Sequence, residues 1–265
     1  MSFTSGYVTG LVGSFSTSFI GGAGDEFSPI DVGTIAFWSK HDETDTITDS
    51  ANAISQIDDQ SGNTNNITQG TSSNKSTTNV TTTNGMNTTD WDGNDYMTFD
   101  TPIDHTNGYT VFFAIDNLAD NGVQKGLVTG DTGSLLYRID NEERPDVVRT
   151  GQAVLVSGST TVSSAPNVVS MKASAAGNAS YINGVSDGSN ATNAALTQPL
   201  TTIGGVFGNF YTGSIGEIII YTGVLTDAEH EQVGNYLANK WTTLPSVTYE
   251  GDTLTYEGDI VTYAN

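Results

Sequence analysis

The sequence predicts an all-β fold: a two-sheet antiparallel jelly-roll sandwich with one C-terminal helix, an N-terminal arm and a small β-repeat tail. Three observations carry that expectation. Short runs rich in Val, Ile, Thr, Tyr and Phe recur at roughly even spacing between Thr34 and Gly223. Clusters of Gly, Asn, Asp and Ser separate them, and the chain holds 30 Gly with only 36% hydrophobic residues, a composition suited to many turns. One late stretch, Asp227 to Trp241, changes to helical spacing.

Residues 1–30 read as an arm. Phe3, Tyr7, Leu11, Phe15 and Phe19 recur every fourth residue, which would put them on one face of a helix. The Gly, Ser and Thr between them oppose a stable helix. The expectation is an uncharged, sticky arm that orders against a partner or folds back on its own domain. No charge precedes Asp25, so the basic region of a signal peptide is missing and the start is read as part of the mature chain.

Residues 31–245 read as the sandwich. The run "TIAFWSK" opens it, followed by a short strand near Ile54–Ile57 and a turn cluster at Asp58–Asn66. Residues 70–90, rich in Ser, Thr and Asn, are expected to form a long surface loop. "GYTVFFAIDN" reads as a strand buried on both faces around Val111–Ile115. "KGLVTG", "SLLYRID", "PDVVRT" and "AVLVSG" follow as short strands. Val168–Ala173 and Ser180–Val185 read as a hairpin with a Gly177-Asn178 turn, and Asn183-Gly184 signals a second turn. "GSIGEIIIYTG" is the last strand. Thr226 and Glu229 then form a capping box, and Val233, Leu237 and Trp241 give the helix one apolar face. The helix is expected to cover a rim or edge of the sandwich, and Trp38, Trp91 and Trp241 to lie in the core.

Residues 246–265 read as a tail. Thr-Tyr-Glu-Gly-Asp occurs at Thr248 and Thr255, with a third copy begun at Thr262. Val247, Tyr249, Leu254, Tyr256, Val261 and Tyr263 fall on one face by period-two alternation, while Glu-Gly-Asp supplies turns. Such a meander is marginal alone. It is expected to be an assembly element that packs on the sandwich, on sister chains or on a larger particle.

The charge balance restricts partners. Against 8 Lys+Arg stand 30 Asp+Glu, a formal net charge of −22. That field repels phosphate backbones and excludes nucleic acid as a natural partner. It fits either a surface kept soluble by repulsion or calcium held by loop carboxylates. The absence of cysteine excludes disulfides and zinc–thiolate sites. No stretch is apolar and long enough to span a membrane.

Trp38, Asp42, Asp59, Ser61, Gly62 and Asn63 together resemble the opening of concanavalin A-like jelly-roll domains of the laminin-G type, with Ile57 where that family usually has Trp. "WDGNDYM" is similar to the family's Phe-Asp-Gly-x-Asp-Tyr-Leu element, Trp91 replacing Phe. "GSIGEIIIYTGVLTDAEHEQVGNYLANKW" is similar to its closing strand and helix. The resemblance covers about residues 33–241. It implies a domain type frequent in phage and bacterial surface proteins. The tail also resembles Val-Thr-Tyr-x-Gly repeats at the ends of some phage structural proteins.

Glycosidases on this sandwich pair two carboxylates on one face of a strand, and no such run occurs here. His41, His105 and His230 are scattered, and nucleophile, metalloprotease and P-loop motifs are missing. The chain is therefore expected not to be an enzyme. The resemblance implies calcium at a rim, with Asp58, Asp59, Asp92 and Asp95 as candidate ligands; the competing reading makes them turn formers. Phe207, Phe210 and Tyr211, in a Gly-rich loop, are candidates for sugar stacking, for a protein interface or for plugging the core.

Two functions follow as expectations. The first is a non-enzymatic virion structural protein: a capsid decoration or head-fibre subunit on the particle surface, homo-oligomeric and trimeric by preference. It would contact capsid or other virion proteins and need no cofactor. The alternative is a carbohydrate-binding module, a receptor-binding tail protein or secreted lectin with calcium as an optional ligand. Host surface glycans would then be its partners.

Overall fold

A computed structural model describes residues 27–104, 106–119, 122–130, 135–149, 154–162, 164–191, 198–206, 208–242, 246–249, 252–257 and 260–263. It is a two-sheet antiparallel sandwich with one helix, α1 (Asp227–Trp241). The first sheet runs in the order Thr34–Lys40, Thr212–Thr222, Tyr109–Asp116, Asn167–Ser174, Gly177–Ile182, Val185–Asn190. Thr89–Asp92 also pairs with the start of Thr212–Thr222. The second sheet runs Val154–Ser157, Pro145–Arg149, Leu135–Ile139, Lys125–Gly130, Leu200–Ile203, Met97–Ile103, Ile67–Thr68, Ala53–Ile57, Ile47–Ser50.

Period-two alternation divides the first sheet between two cores. From Tyr109–Asp116, the side chains of Val111, Phe113 and Ile115 enter the space between the sheets, while Phe112 and Ala114 face the helix. This strand is buried on both faces, as its apolar run predicts. The helix covers the outer face of this sheet, not a rim or edge. Its Val233, Leu237 and Trp241 need an apolar surface, which Trp38, Phe112, Val168, Ile219 and Tyr221 provide. Thr226 Oγ1 accepts from Glu229 N and completes the expected capping box. All three tryptophans are buried.

Gly216 lies at a bulge between Ile215 and Glu217 in the pairing with Tyr109–Asp116. A Cβ at Gly216 would stand 2.6 Å from the Trp241 ring, so the residue without a side chain is what lets the helix end settle on the sheet. Beyond the bulge, Glu217 is fully buried, and its carboxylate accepts from Trp38 Nε1, Tyr236 OH, Lys240 Nζ and Trp241 Nε1. Opening and closing segments of the sandwich thus converge on one carboxylate.

Residues 70–90 are not a bare surface loop. Thr77 bridges Ala53 of one sheet and Asp90 beside the other. Ser76, Thr78, Thr83, Thr88 and Thr89 are buried. Thr83 Oγ1 donates to Asp116, Asn84 Nδ2 to the Trp241 carbonyl, and Asn87 Nδ2 to the His41 carbonyl. The segment packs through hydrogen bonds where an apolar strand would pack through methyl groups.

The hairpin turn expected at Gly177-Asn178 falls instead at Ala175-Ala176, because Ser174 already pairs with Gly177. Asn183-Gly184 does turn the chain, both residues taking positive φ, as a tight hairpin of the mirror-image type requires. The tail forms a three-stranded antiparallel sheet, Ser246–Tyr249, Asp252–Glu257 and Ile260–Tyr263. Its register sets Val247 opposite Leu254, Leu254 opposite Tyr263, and Tyr256 opposite Val261. Phe3, Tyr7, Leu11, Phe15 and Phe19 lie outside the described residues. Among the described residues no helix is long and apolar enough to cross a membrane.

Candidate functional site

The fold brings two loops, distant in sequence, to one rim. One is Asp92–Tyr96, between the strands Thr89–Asp92 and Met97–Ile103. The other is the small hairpin of Gly205–Val206 and Asn209–Phe210. The hairpin lies directly on Gly126, where a Cβ would meet Gly205 Cα and Asn209 O. Gly204, at φ +87°, passes so close to Trp91 that any side chain would strike the indole. Two glycines therefore let the hairpin come down beside the Asp92–Tyr96 loop.

The consequence is a pair of half-buried rings. Tyr96 and Phe210 lie with centroids 6.1 Å apart and planes at 30°. Beside them, Asp92 and Asn94 are exposed. The loop is fixed from within: Asn94 N donates to Asp92 Oδ1, Asp92 N to Asp95 Oδ2, and Asn74 Nδ2 to the Asn94 carbonyl. Asp95 is 3% exposed, and burial pushes its pKa up to about 6. Two adjacent rings flanked by a carboxylate and an amide can stack on an apolar sugar face and bond its hydroxyls.

The candidates from sequence separate here. Phe210 is at the rim. Phe207 lies outside the described residues. Tyr211 is fully buried and donates from its hydroxyl to the Ser214 carbonyl, so it plugs the core and cannot face a sugar. Tyr96 went unread as a site residue, although it stands in the quoted "WDGNDYM" element; its pairing with Phe210 exists only in three dimensions.

The calcium set is not assembled. Asp59 accepts from Trp38 N, Ser61 N, Ser61 Oγ and Asn65 N. Asn63 Nδ2 reaches back to the Ile35 carbonyl, so this turn, which links two strands of the second sheet, is tied to the opening strand of the first. Asp58 accepts from Gln56 Nε2. Asp92 and Asp95 brace their own loop. Among the described residues no three His, Asp or Glu groups stand together as a metal site. Asp59, Asp92 and Asp95 accept from backbone N–H groups, as turn-forming aspartates do, while the donor to Asp58 is the Gln56 side chain.

No protein-family model matches the sequence, and no curated protein matches it significantly. Solved structures do share the fold. The binding domain of Paraclostridial Mosquitocidal Protein 1 aligns at 13% identity and TM-score 0.58, over 84% of this chain and 57% of that one. An arabinofuranosidase complexed with arabinofuranosyl-α-1,2-xylobiose aligns at 14% and 0.55, over 80% and 60%. Trypanosoma rangeli sialidase in complex with the inhibitor DANA aligns at 12% and 0.53, over 76% and 32%. This chain therefore spans less than two thirds of each, and at these identities the likeness is one of fold.

Proposed function

We propose that the chain is a carbohydrate-binding domain without catalytic activity, and that the Tyr96–Phe210 rim holds the sugar. The observation that carries this is the pair of half-buried rings beside the exposed Asp92 and Asn94. The fold likeness to a sialidase and a sugar-complexed arabinofuranosidase supports carbohydrate as the ligand class. Glu217, the glutamate of the long closing strand, is fully buried and its carboxylate is taken up by four donors, which supports a binding role over hydrolysis. A glycan panel read by thermal shift, with and without calcium, tests it. A ligand that binds only the native state raises Tm in proportion to its saturation. At least one glycan should do so; no shift across the panel contradicts the proposal, and a shift that needs calcium adds the metal to it.

The tail favours a compatible second role. Its three-stranded register places Val, Leu and Tyr positions opposite one another, a pattern suited to burial against a partner. In that reading the domain is displayed on a virion surface as a homo-oligomer, and the rim faces outward toward host glycans.

A further inference from the structure

A cavity of about 360 Å³ lies between α1 and the Asn183-Gly184 turn, on the helix-covered face of the first sheet. Its volume falls within the range of small-ligand pockets. Tyr181, Asn183, Asp227, His230, Glu231 and Asn235 line it. The Tyr181 ring is half-buried and packs on the His230 imidazole, centroids 4.3 Å apart, while Phe112 supports the imidazole at 4.8 Å.

His230 is 4% exposed and lines the cavity. Nε2 shares a hydrogen bond with Ser170 Oγ at 3.0 Å; Nδ1 has no partner among the described residues. Burial lowers the His230 pKa to about 4, so at neutral pH the ring is uncharged.

The chemistry of the lining selects the ligand. Depending on tautomer, Nδ1 donates or accepts, and a hydroxyl group satisfies either. Asn235 adds an exposed amide with both functions, while the Asn183 amide is engaged with Val168 N and Asn167 Oδ1. Lys172, the nearby cation, is committed to Asp227 at 2.7 Å. Glu231 remains exposed and negative. An anionic ligand would meet unbalanced carboxylate charge, whereas a neutral polyhydroxy ring would lay a face on Tyr181 and turn its hydroxyls to the imidazole, the Asn235 amide and Glu231.

We propose that this cavity is a second saccharide subsite, specific for neutral sugars, separate from the rim; its ligand class extends the saccharide-binding reading given above. The test is NMR titration of the full chain with methyl β-D-galactoside, methyl β-D-glucoside, methyl α-D-mannoside and N-acetylneuraminic acid. The resonances followed are the His230 ring nitrogens, Tyr181, Tyr96 and Phe210. At least one neutral glycoside should shift His230 Nδ1 and Tyr181, and N-acetylneuraminic acid should not. Tyr181→Ala should weaken that binding roughly tenfold. Asn235→Ala, at an exposed helix position where folding is unaffected, should weaken it severalfold. Neutral sugars that leave His230 and Tyr181 unmoved overturn the subsite, and equal binding of N-acetylneuraminic acid overturns its specificity. If Tyr96 and Phe210 respond alone, the rim proposal stands and the second subsite falls; if all four stay silent, both fall.

Discussion

Trp241, the last residue of α1, donates its indole N–H to Glu217 Oε2 at 2.9 Å, tying the end of the helix to the bulge of the long closing strand. Trp38 Nε1 reaches the other oxygen of the same carboxylate at 2.7 Å. Glu217→Ala should therefore destabilise the fold by about 3–5 kcal/mol, because two buried indoles and the Tyr236 hydroxyl lose their acceptor together and Lys240 keeps only Asp42. Glu217→Gln keeps one acceptor oxygen but turns an NH₂ group toward donors, and should cost about 1–3 kcal/mol. Urea unfolding of both variants measures this. Equal stability of Glu217→Ala and the parent would show that the network holds nothing.

Gly216→Ala should act at the same joint from the sheet side. Its methyl would press into the Trp241 ring, and overpacking of this kind costs about 1–3 kcal/mol. Near-ultraviolet circular dichroism should show the Trp241 environment altered while the far-ultraviolet spectrum keeps its strand signal.

Stability should fall as pH drops from neutral. His41 and His230 are held neutral by burial, their pKa values lowered from 6.5 to about 4. The unfolded chain takes up protons first, so each histidine contribution is complete above pH 6.5 and is lost between 6.5 and 4. The rate is at most about 1.4 kcal/mol per pH unit per group. Asp95 works in the opposite sense: burial raises it from 3.8 to about 6, so its protonated form favours the folded state and its contribution is lost as pH rises from 3.8 to 6. Tm should drop between pH 7 and pH 4.5, and Asp95→Asn should raise Tm at pH 7 while steepening that acid fall. A His41 or His230 ring resonance titrating near 6.5 would contradict the assignment.

The sequence made some of this legible and hid the rest for physical reasons. The Thr226–Glu229 box, the Asn183-Gly184 turn and the apolar run through Val111–Ile115 announce themselves because each depends on neighbours in the chain. The packing of residues 70–90 could not be read, since burial there rests on Thr and Asn hydrogen bonds that carry no hydrophobic period. Helix placement on a sheet face was hidden because Val233, Leu237 and Trp241 specify an apolar partner without saying which. Phe210 was visible as a candidate, but Tyr96 becomes one only when Gly204 and Gly126 let two loops meet. Tyr211 looked equivalent to Phe210 and differs by a single residue of alternation.

Removal of residues 246–265 should leave the sandwich folded, because the cores around Phe113 and around Trp241 are built from residues before Thr242. Under the display reading, the shortened chain should lose its oligomeric state in sedimentation or light scattering. A truncated chain that assembles like the parent would refute a role for the tail in assembly.

The central claim is that the Tyr96–Phe210 rim binds carbohydrate, and the most direct test is calorimetric titration of one glycan from the panel into the parent chain, Tyr96→Ala and Phe210→Ala. Each lost ring should weaken binding by about 0.5–1.5 kcal/mol, roughly two- to tenfold, with little change in Tm. Unchanged affinity in both variants would contradict the account.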